Sequence, residues 1–271
     1  MRRALALALL LVLALHAHLV VVVAAAALSP VVIIPGDGGS QLEARATHKP
    51  TPHFYCASSF DWSRVWLSVT ALLPGAIDCW ADTVRLAFNA STGAFANSPG
   101  VEMRVPGFGN TTTIEVLDPS LASKTGYFSV FVARLVAAGL VRGVSVVGAP
   151  FDFRLTPRSA PYVASMVALI EATAAANGGR TVVLVSHSMG CKVAHELLTG
   201  QSAAWKAQYI KAWVPLAPAL GGSNSILRLM AAGDAEGLPV SALSVCSHRR
   251  AFRCDVEFLL SSCFYWSDFE T

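Results

Sequence analysis

The chain has 271 residues, 54% of them hydrophobic and only 14% charged, with a formal net charge of +3. Disordered chains are poor in apolar side chains and rich in net charge, so this composition excludes an unfolded polypeptide and implies a substantial buried core. It also argues against nucleic-acid binding, because no Lys/Arg cluster lies along a helical face and the basic pairs Arg2-Arg3 and Arg249-Arg250 are short.

Residues 1–27 read as a targeting segment. Met1-Arg2-Arg3 is a positive n-region, residues 4–15 are an unbroken apolar run, and the alanines at 24–27 suit a cleavage site. With residues 19–23 added, the stretch could also span a bilayer, so an uncleaved signal anchor is the alternative to a signal peptide. Entry into the secretory pathway permits disulfide pairing among the six cysteines, Cys56, Cys79, Cys191, Cys246, Cys254 and Cys263. The sequons at Asn89 and Asn110 are candidate glycosylation sites there.

Beyond the leader, residues 31–35 form a β-branched apolar run. Residues 42–110 differ: they hold Trp62, Trp66 and Trp80, two cysteines, both sequons and many turn residues, and read as an elaboration capping a sheet. Residues 127–138 carry Phe128, Phe131, Val132, Leu135 and Val136 at helical spacing before Gly139. A second strand-like run at 144–149 precedes an alanine-rich helix at 160–176 that closes on Asn177-Gly178-Gly179. A third run at 181–185, a helix at 191–199 and a fourth run at 212–217 follow. Apolar runs without alternation suit strands buried on both faces, and strand–helix–strand order argues for a parallel sheet with crossover helices. The expected architecture is α/β, with one domain over residues 28–243 and a divergent tail at 244–271.

The chemistry lies at Val185-Ser186-His187-Ser188-Met189-Gly190. A buried strand enters a sharp turn and leaves as a helix, the context that a G-x-S-x-G nucleophile elbow requires. Positions two before and two after the nucleophile must be small; Gly190 meets this, and Ser186 replaces the usual first glycine. Ser188 is therefore the candidate nucleophile, beside a helix N-terminus that offers N–H groups to an oxyanion. The loop Pro35-Gly36-Asp37-Gly38-Gly39 after the first strand can supply further backbone donors, although a tight strand-exit turn without catalytic role has the same composition.

With these motifs stand Ser40-Gln41-Leu42-Glu43-Ala44, Asp78-Cys79-Trp80-Ala81-Asp82, Val105-Pro106-Gly107-Phe108-Gly109, Ala149-Pro150-Phe151-Asp152-Phe153-Arg154, Ala204-Trp205-Lys206, Leu216-Ala217-Pro218 and Gly233-Asp234. Taken in order, they resemble the lecithin–cholesterol acyltransferase and lysosomal phospholipase family over residues 30–240. The resemblance implies an α/β-hydrolase fold with a cap and a membrane-binding loop. It implies lipid acyl-ester chemistry, as an O-acyltransferase or a phospholipase A, through an acyl-enzyme on Ser188. The positions matching Asp37 and Met189 supply backbone N–H groups to the oxyanion, and Cys56–Cys79 matches a disulfide bracketing the loop. Trp62 and Trp66 are expected in that loop, either dipping into lipid or serving as core aromatics, with Trp80 beside them in the cap. The implied partners are a phospholipid or other lipid ester and a membrane or lipoprotein surface. The implied compartment is secreted or vacuolar/lysosomal, and no cofactor is implied.

A serine alcohol needs a general base and a residue that orients it. In this fold the order along the chain is Ser, acid, His, and no counterpart of the family's later segments is recognisable. His195 lies about 10 Å from Ser188 along the same helix at about 1.5 Å per residue, too far to take its proton. His248, between Asp234 and Asp255, permits at most a makeshift arrangement. A catalytically incompetent relative that binds lipid is therefore the alternative. Asp152 and Arg154 are expected to form a structural ion pair, and Cys191 to be buried packing. The remaining cysteines show no metal-ligand spacing, so no metal is expected.

Overall fold

The computed structural model describes residues 28–89, 91, 94–155 and 160–224. The leader and the tail expected from the sequence lie outside these residues. In chain order the elements are β1 (Val31–Ile34), β2 (Leu42–Ala46), β3 (Phe60–Trp66), α1 (Ile77–Val84), β4 (Leu86–Asn89), β5 (Ala94–Asn97), β6 (Val101–Arg104), α2 (Thr112–Glu115), α3 (Ser129–Ala137), β7 (Val146–Gly148), α4 (Ala160–Ala176), β8 (Val182–His187), α5 (Gly190–Gly200), α6 (Ala203–Tyr209) and β9 (Ile210–Leu216).

The apolar runs become a four-stranded sheet in the order β7-β1-β8-β9, and every described pairing within it is parallel. The side-chain period of two explains why the runs do not alternate. Val32 and Ile34 of β1 pack with Met166, Ile170, Val193 and Leu197 of α4 and α5. Val31 and Ile33 point the other way, onto Ile114, Phe128, Val132 and Leu140 beside α3. At β1 each face is thus covered by a helix layer, and Ile33 and Ile34 are both fully buried. The expectation of burial on both faces fails at β9, where Ala212, Val214 and Pro215 are exposed among the described residues. Burying such a side chain contributes about 1.5–3 kcal/mol. This mixed α/β arrangement with a parallel central sheet is the expected hydrolase-type fold.

The helices begin and stop for local reasons. Helix α4 ends where Gly178 and Gly179 take positive φ, with the Gly179 N–H closing on the Ala174 carbonyl at 2.9 Å. The Asn177 side chain, next to them, donates to the carbonyls of Thr173 and Val144. Ser202 caps α6 by accepting the Trp205 N–H at 3.1 Å.

Residues 42–104 build a separate antiparallel layer: a three-stranded sheet in the order β3-β2-β6, a β4-β5 hairpin and α1. Its own core contains Leu42, Ala44, Val65, Leu72, Trp80 and Val84. Arg154, only 5% exposed, ties this layer to the main sheet. It pairs with Asp152, as the sequence suggests, and donates to the Val84 carbonyl and to Asn97 Oδ1. Among the described residues, no helix is long and apolar enough to cross a membrane.

Candidate active site

Chain order in the sheet reverses at β1, which has β7 on one side and β8 on the other. In open α/β sheets the crevice beyond the carboxyl ends of the strands at such a switch point is where ligands bind. The loop after β1 and the turn after β8 meet there. Ser188 sits in that turn, between β8 and α5, with φ of 51°. L-residues avoid this left-handed region, so a non-glycine there marks a backbone held by its surroundings. The Ser188 N–H donates to the Leu216 carbonyl at 3.0 Å, and its carbonyl accepts from Cys191 N–H.

Two glycines let the turn close. A Cβ on Gly36 would lie 2.9 Å from the Ser188 Cβ, and one on Gly190 would lie 2.1 Å from the Pro35 carbonyl oxygen. Ser186 is tolerated in place of the usual glycine because its buried hydroxyl is fully used. It accepts from the Trp213 indole at 2.7 Å and donates to Cys191 Sγ at 3.2 Å. Cys191 is itself buried, as expected, and burial pushes its thiol pKa up.

The sequence-derived donor positions flank Ser188. Asp37 is exposed in the turn between Gly36 and Gly38, and Met189 precedes the first residue of α5. Around them is a residue that sequence reading passes over. Tyr127 accepts the Gly36 N–H at 3.0 Å, and its oxygen lies 2.5 Å from His187 Nδ1. Burial raises the Tyr127 pKa to about 12, against the opposing Gly36 hydrogen bond and with Asp37 and Cys191 adding to the rise. Burial lowers the pKa of His187.

The three tryptophans separate. Trp80 is buried, with its indole donating to the Val65 carbonyl at 2.8 Å. Trp66 packs against Trp80 and Phe153 and donates to the Gly38 carbonyl at 2.7 Å. Trp62 lies under the guanidinium groups of Arg45 and Arg104 at 5.2 and 4.3 Å. Of the two alternatives for Trp62 and Trp66, neither ring is fully buried and both rest on protein groups; the exposed aromatics nearby are Phe54 and Tyr55. The Cys56–Cys79 disulfide is formed, with Cα atoms 5.4 Å apart. Asn89 and Asn110 are exposed, and their side-chain oxygens accept from the Ser91 and Thr112 N–H groups. No group of three or more His, Cys, Asp or Glu able to hold a metal occurs among the described residues.

A parallel sheet, a left-handed serine at its switch point and a following helix define an α/β-hydrolase-type protein. The family model described as Lecithin:cholesterol acyltransferase matches residues 60–270, and the chain belongs to that family. That match takes in most of the 244–271 stretch that the motifs set apart as divergent. The chain is 39% identical to the human "Lysosomal phospholipase A and acyltransferase" over 240 residues, 88% of this chain and 58% of that protein. It is 40% identical to the protein of the same name from Bos taurus over 241 residues, 88% of this chain and 59% of that one. It is 38% identical to the human "Phosphatidylcholine-sterol acyltransferase" over 213 residues, 78% of this chain and 48% of that protein. The chain thus spans between 48% and 59% of the length of these relatives.

Proposed function

We propose that this chain carries out lipid acyl-ester chemistry through an acyl-enzyme on Ser188. The Ser188 Oγ attacks the carbonyl carbon of a phospholipid ester, and the developing oxyanion is received by the N–H groups of Asp37 and Met189. The lysolipid alcohol then leaves with a proton. Water releases the acyl group as a fatty acid, in phospholipase A chemistry, or a lipid alcohol takes it, in O-acyltransferase chemistry. The observation that carries this reading is the strained φ of 51° at Ser188, held where the β1 loop and α5 meet.

The substrate is met at a lipid surface, membrane or lipoprotein, outside the cytosol. The leader, the disulfide and the fully exposed Phe54 support this. Glycosylation at Asn89 and Asn110 belongs to the same reading. Ser188 still needs a base. His187 is engaged by Tyr127 and His195 is a remote member of α5, so neither serves, and the base is sought outside the described residues. Phe54, fully exposed two residues before Cys56, is the observation for a second reading, a relative that binds lipid without turnover.

Fatty-acid release from phosphatidylcholine vesicles, with and without a long-chain alcohol acceptor, decides between them. Release or transfer that disappears in Ser188→Ala supports the first reading. Vesicle binding with no Ser188-dependent product supports the second.

A further inference from the structure

The phenol of Tyr127 is hydrogen-bonded to both sides of the candidate oxyanion site. It stands 91 residues from Gly36 and 60 residues from His187 in the chain, so only the fold brings the three together. The bend before α3 fixes its position: Tyr127 N–H donates to the Glu115 carbonyl at 2.8 Å, and Phe128 N–H to the Ile114 carbonyl at 3.1 Å. The ring lies against the β1 loop, where a Cβ on Gly39 would come within 2.6 Å of Tyr127 Cε1. It meets the His187 ring edge-on, at 5.5 Å between centroids.

Gly36 N–H can only donate, so the phenol oxygen accepts there. The contact with His187 Nδ1 closes in either tautomer: the phenol donates to a bare Nδ1, or an Nδ1–H donates to the phenol's remaining lone pair. One loop held in this way carries Asp37; the other carries Ser188 and Met189.

We propose that Tyr127 is a positioning residue that locks the Asp37 loop against the Ser188 elbow, so that two backbone donors aim at one oxyanion. This rests on the reading of Ser188 as the nucleophile. Oxyanion donors act only where they are placed: losing one costs about 10²–10³ in rate, and a displacement of about 1 Å about 10². The loop keeps other anchors, the Gly39–Gly36 turn bond and Trp66 on the Gly38 carbonyl. Removing the phenol hydroxyl should therefore cost about 10–100-fold.

The test is phosphonylation by a fluorophosphonate. In this reaction Ser188 Oγ–P forms, P–F breaks, and fluoride departs while the serine proton passes to base. In Tyr127→Phe, which keeps the ring, the maximal labelling rate should fall about 10–100-fold. The half-saturating probe concentration should stay within about twofold and the thermal midpoint should barely move. His187→Leu should give a similar loss, and the double variant no greater loss than either single, since both break one clamp. An unchanged maximal rate in Tyr127→Phe, or additive losses in the double variant, overturns the proposal. If wild-type Ser188 does not label, the acyl-enzyme reading falls, and the clamp is judged separately by ¹⁵N NMR of His187 in the wild-type protein. An Nδ1 resonance shifted by a hydrogen bond, in either tautomer, supports the clamp and a free Nδ1 overturns it, whether or not the variants fold.

Discussion

The Pro35 carbonyl oxygen fills the space that a side chain on Gly190 would occupy, so the β1 exit and the start of α5 touch backbone to backbone. An added Cβ would sit 2.1 Å from that oxygen and 2.8 Å from the Ile34 carbonyl oxygen. Neither obstacle is a flexible side chain that could swing away. Gly190→Ala should therefore destabilise the fold by about 3 kcal/mol, the upper end of ordinary overpacking costs, and should abolish Ser188 labelling. Gly200→Ala, at the far end of the same helix and with open space around it, should be neutral or stabilise by up to about 1 kcal/mol. Chemical denaturation of both variants checks this; equal effects would show that the contact at Gly190 is not what limits the turn.

Reducing the Cys56–Cys79 bond should loosen the antiparallel layer. The bond closes a segment with a sequence separation of 23, and a loop of that size stabilises by about 3 kcal/mol, chiefly by restricting the unfolded chain. The Cys79→Ser variant should melt lower by several degrees, and reductant should lower wild type to the same point without affecting the variant. Proteolysis should then cut first within residues 56–79. A reductant-insensitive wild type would argue against the bond.

Acid should weaken the fold through three groups of the same sign. Burial raises the pKa of Glu115, but hydrogen bonds from Arg142 and Thr111 and the Arg142 charge outweigh it, leaving it below the usual 4.5. Burial likewise raises Asp118, and Ser120, the Val69 N–H and Arg64 more than reverse it, below the usual 3.8. A lowered carboxylate contributes stability above its ordinary pKa and loses it as pH falls through the folded value. His187 is lowered by burial from 6.5, so below that pH the unfolded chain takes up a proton that the folded chain resists, and stability falls again. The melting temperature should drop from pH 6.5 downward and more steeply below pH 4.5. His187→Leu should flatten the upper part of that slope, and an unchanged slope in the variant would remove His187 from the account.

Much of this architecture is legible in the sequence, because strands buried on both faces carry no polar positions and read as unbroken runs. Residues 160–176 coincide with α4, since an alanine-rich stretch followed by Asn-Gly-Gly has one physical reading. The edges are less legible. Strand β8 runs on to His187, because Ser186 and His187 continue the ladder opposite Ile34 and Leu216. The orientation of Trp66 is not legible at all, since an indole within a cysteine-bracketed loop has the same sequence whether it faces lipid or the Gly38 carbonyl. Nor is the Tyr127–His187 contact, which exists only after a separation of 60 residues has closed.

Replacing Ser188 separates the backbone's demands from the chemistry's. At most positions Ala is more stable than Gly by about 0.5–1 kcal/mol, because Gly loses more freedom on folding. At a φ of 51° the order should reverse, since a Cβ in the left-handed region costs about 1–2 kcal/mol. Ser188→Gly should therefore be more stable than Ser188→Ala by about 1 kcal/mol and at least as stable as wild type, while neither variant labels with fluorophosphonate. Denaturant titrations of the three proteins read the difference directly. Ser188→Ala more stable than Ser188→Gly would mean that position 188 is unstrained, removing the structural reason for reading it as a nucleophile elbow.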